Sequence, residues 1–289
     1  MNVMNTIYKY SLDTTSKKFV CPNCNKKTFV KFIDNETNQY LNDIDGRCDR
    51  ESKCGYFKKP DNKCITKSIT NCITEVIQPT YHNKDLVLQY RDTLQKSNFI
   101  VYLLSVFDVK SVLQAIKTYN IGITNYWHEA TIFWQIDTKN RIRGGKIMQY
   151  NCNTGKRVKQ PFNHVSWVHK QLKLNNFVLQ QCLFGLHNLT NISKDDIVCI
   201  IESEKTAIIM SILFPNYLWL ATGSKTRFKQ EMLQPLKEYN VIVYPDKTVW
   251  ESWNKTAILL NKQGFHIQCS SLLENLDIED GGDLVDFLI

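Results

Sequence analysis

Ile197-Val198-Cys199-Ile200-Ile201-Glu202-Ser203-Glu204-Lys205-Thr206-Ala207 limits the folds open to this chain more than any other stretch. Five apolar, mostly β-branched residues run straight into a carboxylate, and an apolar helix-like segment follows. The run is too short to span a membrane and too evenly apolar for a half-exposed strand. It reads as a buried parallel strand. Glu202 then sits at the carboxyl end of that strand, where open α/β sheets bind ligands.

The sequence after this point keeps the same rhythm. A helix is expected from about 204 to 214, then strand Leu218–Ala221 ending at Thr222-Gly223-Ser224. A helix over about 226–239 leads to strand Val241–Tyr244, and Pro245-Asp246 follows. A helix over about 249–262 and strand Phe265–Cys269 complete the series. Alternating strands and helices of this kind argue for a parallel sheet flanked by helices.

The earlier sequence reads differently. Residues 85–120 recur near helical spacing through Leu86, Val87, Tyr90, Leu94, Phe99, Leu103, Leu104, Phe107, Val112, Leu113, Ile116 and Tyr119. Thr131–Ile136 and Arg141–Tyr150 read as two strands joined by a polar turn, and Gly144-Gly145 suggests a bulge or a close backbone approach. The expected organisation is a multi-domain α/β chain. Residues 1–60 form a small β module, 61–84 a linker, 85–175 a helical and basic β segment, and 176–289 the parallel α/β domain.

The β module carries the first chemistry. Cys21-Pro22-Asn23-Cys24 is a two-residue-spaced pair, and Cys48 and Cys54 form a second, looser one. Thr28–Ile33 and the segment near Tyr40-Leu41 read as short strands between them. Four thiolates close a tetrahedral structural Zn2+ site, and one turn can present both sulfurs of the first pair. Structural zinc supplies roughly 10–16 kcal/mol, which a module with so little core of its own needs. The plainer alternative is four reduced, buried cysteines. Cys64 and Cys72 are weaker ligand candidates in linker-like sequence, and Cys199 and Cys269 suit core filling.

No apolar run approaches the roughly 20 residues of a membrane span, and Met1–Asn5 lacks the apolar core of a signal peptide. A cytoplasmic location is expected, where disulfides are uncommon. That leaves metal as the first explanation for ten cysteines. The net charge is +8, unevenly spread. Residues 141–173 carry Arg141, Arg143, Lys146, Lys156, Arg157, Lys159, Lys170 and Lys173 with no acid, and the chain from Glu274 onward carries six acids with no Lys or Arg. The basic band calls for a polyanion, and the acidic band for a cation site or a solvated tail.

Glu202, Asp246, and Asp283 with Asp286 all fall where the parallel sheet should present its carboxyl edge. Converging hard oxygen donors are what Mg2+ or Mn2+ requires, and such ions neutralise charge on a transferring phosphoryl group. Read singly, Glu202 and Asp246 are also ordinary helix-start residues. Lys205 either contacts a phosphate or lies in solvent. Arg141, Arg143, Lys146, Lys156, Arg157 and Lys159 lie near Trp134, Tyr150 and Trp167, a mixture of cations and aromatic faces that suits single-stranded nucleic acid. The alternative is a solvated face above core aromatics. Five phosphate contacts would give a log–log salt slope near about −3 to −4. His128, His164 and His169 could join such a site, although lone histidines more often serve the surface or the core.

In this order, the modules resemble bacterial-type primases with an N-terminal zinc ribbon and a C-terminal Toprim domain. The resemblance runs from about residue 19 to the end of the chain. Ala115–Gly122 is similar to the "Y-x-I-G" step into the primase core, and Phe133–Asp137 through Arg143–Lys146 to the basic part of that core. Glu202–Ala207 resembles the first Toprim motif, and Gly282–Leu288 the closing "K-D-x-x-D-x-L" element. Short ribbon-plus-Toprim proteins are often carried by plasmids and other mobile elements.

The resemblance implies a DNA replication protein that binds a single-stranded DNA template and builds RNA primers from nucleotides with Mg2+. Replication or mobilisation proteins are then candidate partners. One departure stands out. The second Toprim motif, Asp-x-Asp in the family, reads Asp246-Lys247-Thr248. Threonine is a weak ligand and Lys247 adds positive charge, so a second ion should bind less well; Glu251 is the nearest replacement. A non-catalytic Toprim-fold nucleic-acid-binding protein is therefore the competing expectation, and a Toprim nuclease a third.

Overall fold

The computed structural model describes residues 9–15, 17–50, 53–60, 78–91 and 97–289. Cys64, Cys72, Leu94 and most of the expected linker lie outside the described residues. Residues 1–74 and 75–289 form two compact units.

The first unit is all β. Strands β1 (Tyr10–Leu12), β2 (Phe19–Val20), β3 (Lys27–Asp34), β4 (Gly46–Cys48) and β5 (Phe57–Lys58) make an antiparallel sheet in the order β1-β3-β4-β5, with β2 also paired to β3. Its central cluster buries Cys21, Phe29 and Cys48, with Phe19, Cys24, Cys54 and Tyr56 packed around them, and Val30 and Phe32 are buried outside that cluster. So small a core cannot offset the entropy of ordering the chain without a further tie.

The second unit opens with three helices: α1 (Asp85–Gln89), α2 (Asn98–Val106) and α3 (Val109–Tyr119). The expected helical stretch is thus divided. Ser97 caps α2 by accepting from the Ile100 amide, Asp108 caps α3 by accepting from Ser111, and Asn120 ends α3 in a left-handed conformation. Strands β6 (Gly122–Thr124), β7 (Ala130–Ile136), β8 (Ile142–Met148) and β9 (Val165–Trp167) follow as an antiparallel meander. Gln135 pairs with Gly144 and Ile136 with Ile142, so Arg143 is left unpaired at a bulge beside the glycine pair.

Helix α4 (Val168–Gln171) and a 3-10 turn at Leu186–Asn191 lead to the parallel sheet. It contains β10 (Ile197–Ile201), β11 (Leu218–Ala221), β12 (Asn240–Val243) and β13 (His266–Cys269) in the order β11-β10-β12-β13, all parallel. Helices α5 (Glu204–Leu213), α6 (Gln230–Leu233), α7 (Trp250–Asn261) and α8 (Leu284–Leu288) complete the unit. The helix expected over 226–239 is broken into a 3-10 turn, the single turn α6 and a second 3-10 turn at Gln234–Leu236. Pro235 explains the break: it donates no amide and its ring collides with the preceding turn.

β10 is buried on both faces, as its unbroken apolar run requires. Val198 and Ile200 join a core with Val241, Val243, Leu233, Trp253 and Leu260. Cys199 and Ile201 point the other way, into a core that also contains Phe133 and Met148 of the antiparallel sheet, Phe99 and Leu103 of α2, and Leu284 and Val285 of α8. That core crosses the expected division near residue 175 and fixes the antiparallel sheet beside the carboxyl edge of the parallel one.

Candidate functional site

In the first unit the four cysteines converge. Their sulfurs all lie within 4.8 Å of one another, the only such donor group among the described residues. Cys21 Sγ is 3.7 Å from Cys54 Sγ, and Cys24 Sγ is 3.9 Å from Cys48 Sγ. Zn–S bonds of about 2.3 Å imply tetrahedron edges of about 3.8 Å, so the donor set fits zinc. The turn that presents the first pair is closed by Asn25 N–H donating to Cys21 O at 3.0 Å. Asn23 Nδ2 donates to Cys54 Sγ at 3.4 Å and Thr28 Oγ1 lies 3.2 Å from Cys48 Sγ, so neighbouring polar groups orient the sulfurs.

In the second unit a cleft of about 910 Å³ opens at the carboxyl edge of the parallel sheet. Glu202 follows β10 and Asp246 follows β12. The chain leaves β10 for β11 on one side and later returns to β12 on the other. The two carboxylates therefore flank the point where strand order reverses, the place where open α/β sheets form a binding crevice. Burial pushes the Asp246 carboxyl up to about 8, reinforced by Glu202, Asp283 and Asp286. Glu202 is also raised by burial, against the opposing pull of the Lys225 amide, Lys225 and Lys146. Negative charge that Lys225 and Lys146 offset only in part is what a divalent ion would relieve. Glu202 and Asp246 therefore fit one such ion.

Asp283 and Asp286 have other duties, whereas Asp277, Glu279 and Asp280 are exposed and line the cleft as well. Asp283 caps α8, accepting from Val285 N at 2.8 Å and Asp286 N at 3.2 Å, and Asp286 accepts in return from the Asp283 amide at 3.0 Å. The other Asp283 oxygen accepts from the Thr206 hydroxyl. This is a capping box, tied to α5 through Thr206. Lys247 is engaged by backbone: its ammonium donates to the carbonyls of Leu276 and Ile278, each at 2.8 Å. Thr248 is exposed and sits at φ +76°. Glu251 does not line the cleft.

The six cations expected to act together separate into three groups. Arg141 and Arg143 both pair with buried Asp137, at 2.8 Å each. Burial alone would raise the Asp137 carboxyl, but hydrogen bonds from the two arginines outweigh it and hold it below the usual range. Lys146 donates to both oxygens of buried Glu204 and to the Gly223 carbonyl, each at 3.0 Å. Lys156, Arg157 and Lys159 are exposed, line the cleft, and have no ion-pair partner among the described residues. They lie on a turn whose Gly155, at φ +61°, packs on the Tyr102 ring of α2, where a Cβ would come within 2.4 Å.

A family model described as Domain of unknown function (DUF6371) matches residues 97–247, just over half of the chain. The chain belongs to the DUF6371 family. The matched part of this DUF6371 member runs from α2 through Asp246 and includes Glu202 and the basic turn. A second model, described as a putative zinc beta-ribbon finger, matches residues 8–69 and so contains all four clustered cysteines. No curated protein matches the chain.

Among solved structures, the RNA polymerase domain of Mycobacterium tuberculosis primase DnaG is similar at 12% identity and TM-score 0.46, over 70% of this chain and 76% of that one. The E. coli primase catalytic core is similar at 16% identity and TM-score 0.43, over 70% and 73%. The primase fragment of the bacteriophage T7 primase-helicase is similar at 12% identity and TM-score 0.43, over 92% of each chain.

Two features of the DUF6371 cleft escape sequence reading. Glu204 is 2% exposed and ion-paired to Lys146; its partner is 58 residues away, so no local pattern announces it. Of the expected aromatics, Tyr150 lines the cleft and Trp167 is partly buried, but further exposed rings lie near the basic turn. Trp134 and Tyr150 are buried, whereas Tyr126 and Phe162 are exposed.

Proposed function

We propose that this protein is a primase-like replication protein: it holds a single-stranded DNA template at the cleft and joins ribonucleotides into a primer there. One observation carries the reading. The two carboxylates at the strand-order reversal, Glu202 and Asp246, share a cleft with Lys156, Arg157 and Lys159, exposed cations with no ion-pair partner among the described residues. Acids that suit a divalent ion and cations that suit phosphates on facing walls are the arrangement nucleotidyl transfer needs.

In this reading Lys156, Arg157 and Lys159 hold the template backbone, and Glu202 and Asp246 hold Mg2+ or Mn2+. When bound, that ion would neutralise charge on the reacting phosphate. Lys146 is spent on Glu204 and keeps the wall beside Gly223 in place rather than reaching for phosphate. The zinc ribbon stabilises the first unit and aids template recognition. Three phosphate contacts, from Lys156, Arg157 and Lys159, should give binding of single-stranded DNA a log–log salt slope of about −2.

A second reading draws on Asp246-Lys247-Thr248. Lys247 is held by two carbonyls and Asp283 by a helix cap, so neither completes a second ion site beside Glu202 and Asp246. Such a site would serve a binding protein that keeps the fold without the chemistry. A crystal soaked in manganese separates the two. Anomalous density between Glu202 and Asp246 supports catalysis, and its absence at millimolar manganese favours the binding protein.

A further inference from the structure

Four aromatic rings gather where the connection between β6 and β7 meets the segment that leads into β9. Tyr126 is 43% exposed and Phe162 53% exposed, while Trp127 and His164 are partly buried. Their rings touch in sequence: Tyr126 and Trp127 at 4.9 Å, Trp127 and His164 at 5.1 Å, Phe162 and His164 stacked at 4.2 Å. Trp127 and Phe162 lie 6.3 Å apart. Single exposed aromatics are ordinary, whereas a contiguous cluster marks a contact surface.

The cluster is anchored rather than loose. Trp127 packs against the core of buried residues that contains Trp134, Ile132 and Ile147. His164 N–H donates to Val158 O at 3.4 Å, and Val158 N–H donates to Gln149 O at 2.9 Å. Arg157 and Lys159 are the residues on either side of Val158. The aromatic cluster and the basic turn are therefore adjacent strands of backbone, one hydrogen bond apart. Residues 122–130 and 149–167, which carry both groups, contain a single carboxylate, Glu129.

We infer that Tyr126, Trp127, Phe162 and His164 form a platform on which bases of single-stranded nucleic acid stack while Lys156, Arg157 and Lys159 hold its phosphates. The charge decides the class of partner. The segments that carry the rings and the cations hold one carboxylate between them, and the acids that share the cleft with the cations come from the parallel sheet's edge and the chain after it. Flat rings beside unpaired cations suit a strand whose bases are splayed from a charged backbone. The inference rests on the cleft's binding single-stranded nucleic acid, and adds that the protein grips bases as well as phosphates.

The test uses the full chain with zinc bound, and a short fluorescein-labelled oligothymidylate read by anisotropy. A second oligonucleotide has the same number of phosphates but abasic sites. Y126A and F162A each lose affinity for the thymidylate by about fivefold to a hundredfold, the range base stacking on one ring supplies. Both leave the salt slope unchanged, and the abasic strand binds wild type as weakly as it binds the variants. The triple variant K156A/R157A/K159A flattens the salt slope instead.

Equal binding of thymidylate and abasic strands to wild type, with Y126A and F162A unaffected, overturns the platform; if the triple variant still loses binding, the cleft reading stands. Undiminished binding by the triple variant overturns the cleft reading itself. Because Tyr126 and Phe162 are exposed, unchanged circular dichroism of their variants is expected, and F162W restoring affinity guards against a folding defect.

Discussion

At the scale of single residues, the cleft is a matter of charges held away from water. Asp246 is pushed up to about 8 by burial and by its acidic neighbours. The folded protein thus keeps a proton that the unfolded chain, with an ordinary pKa near about 4, releases. From this group, stability is expected to fall as pH rises from about 4 to about 8 and to change no further above that. Asp246→Asn should remove the slope. In zinc-loaded protein without added magnesium, it should raise stability at about pH 9 by on the order of 2 kcal/mol and leave it unchanged at about pH 4. Denaturant midpoints at the two pH values check this.

Lys146 and Glu204 make a second residue-scale prediction. Lys146→Met leaves a buried carboxylate alone and should cost about 3–5 kcal/mol, while K146M with Glu204→Gln should recover most of it. Glu202 and Asp246 were legible in the sequence because each ends an apolar run at a sheet edge. Glu204 was not, since its meaning depends on a lysine in a different sheet. The arginines show the same limit. Arg141 and Arg143 read as free cations until folding brings both onto Asp137, which also accepts from the Lys139 and Arg141 amides at 3.0 Å each.

Among elements, the turn after β11 and the zinc ribbon hold the most specific geometry. Gly223 sits at φ +76°, donates to Glu202 O at 2.8 Å, and would place a Cβ 2.8 Å from Glu204 Oε1. Gly223→Ala is therefore expected to cost about 1–3 kcal/mol from the backbone alone, and to disturb both acids. Thermal unfolding of the variant against wild type measures it. For the ribbon, four sulfurs at zinc spacing make up for a small core. Chelating the metal should release the amides of β3 to fast hydrogen exchange, and zinc should restore their protection.

The parallel strands were readable to within a residue or so, because unbroken β-branched runs have few other uses. The helix over 226–239 was not, since a helical pattern in apolar residues conceals the effect of Pro235 on the backbone. The aromatic platform was equally hidden. Sequence gives the rings, but it does not show that Trp134 lies on a strand buried on both faces while Tyr126 and Phe162 lie in exposed connections.

On the scale of the whole molecule, the parallel sheet places Glu202 and Asp246 on either side of a strand-order reversal, and the shared core fixes the antiparallel sheet so that its basic turn lines the same cleft. Module order along the chain could be read directly. The joining of residues 85–175 to the parallel sheet through one core could not, because such packing leaves no periodic trace. Among the described residues no helix is long and apolar enough to cross a membrane.

The central claim is that the two carboxylates make primers on a single-stranded template, and ribonucleotide incorporation on single-stranded DNA with magnesium or manganese tests it most directly. Wild type should yield labelled RNA, and Glu202→Gln should yield none while still binding the template. If wild type gives no product where an established primase does, and its DNA binding is indifferent to metal and to Glu202→Gln, the account of this cleft as a catalytic site is contradicted.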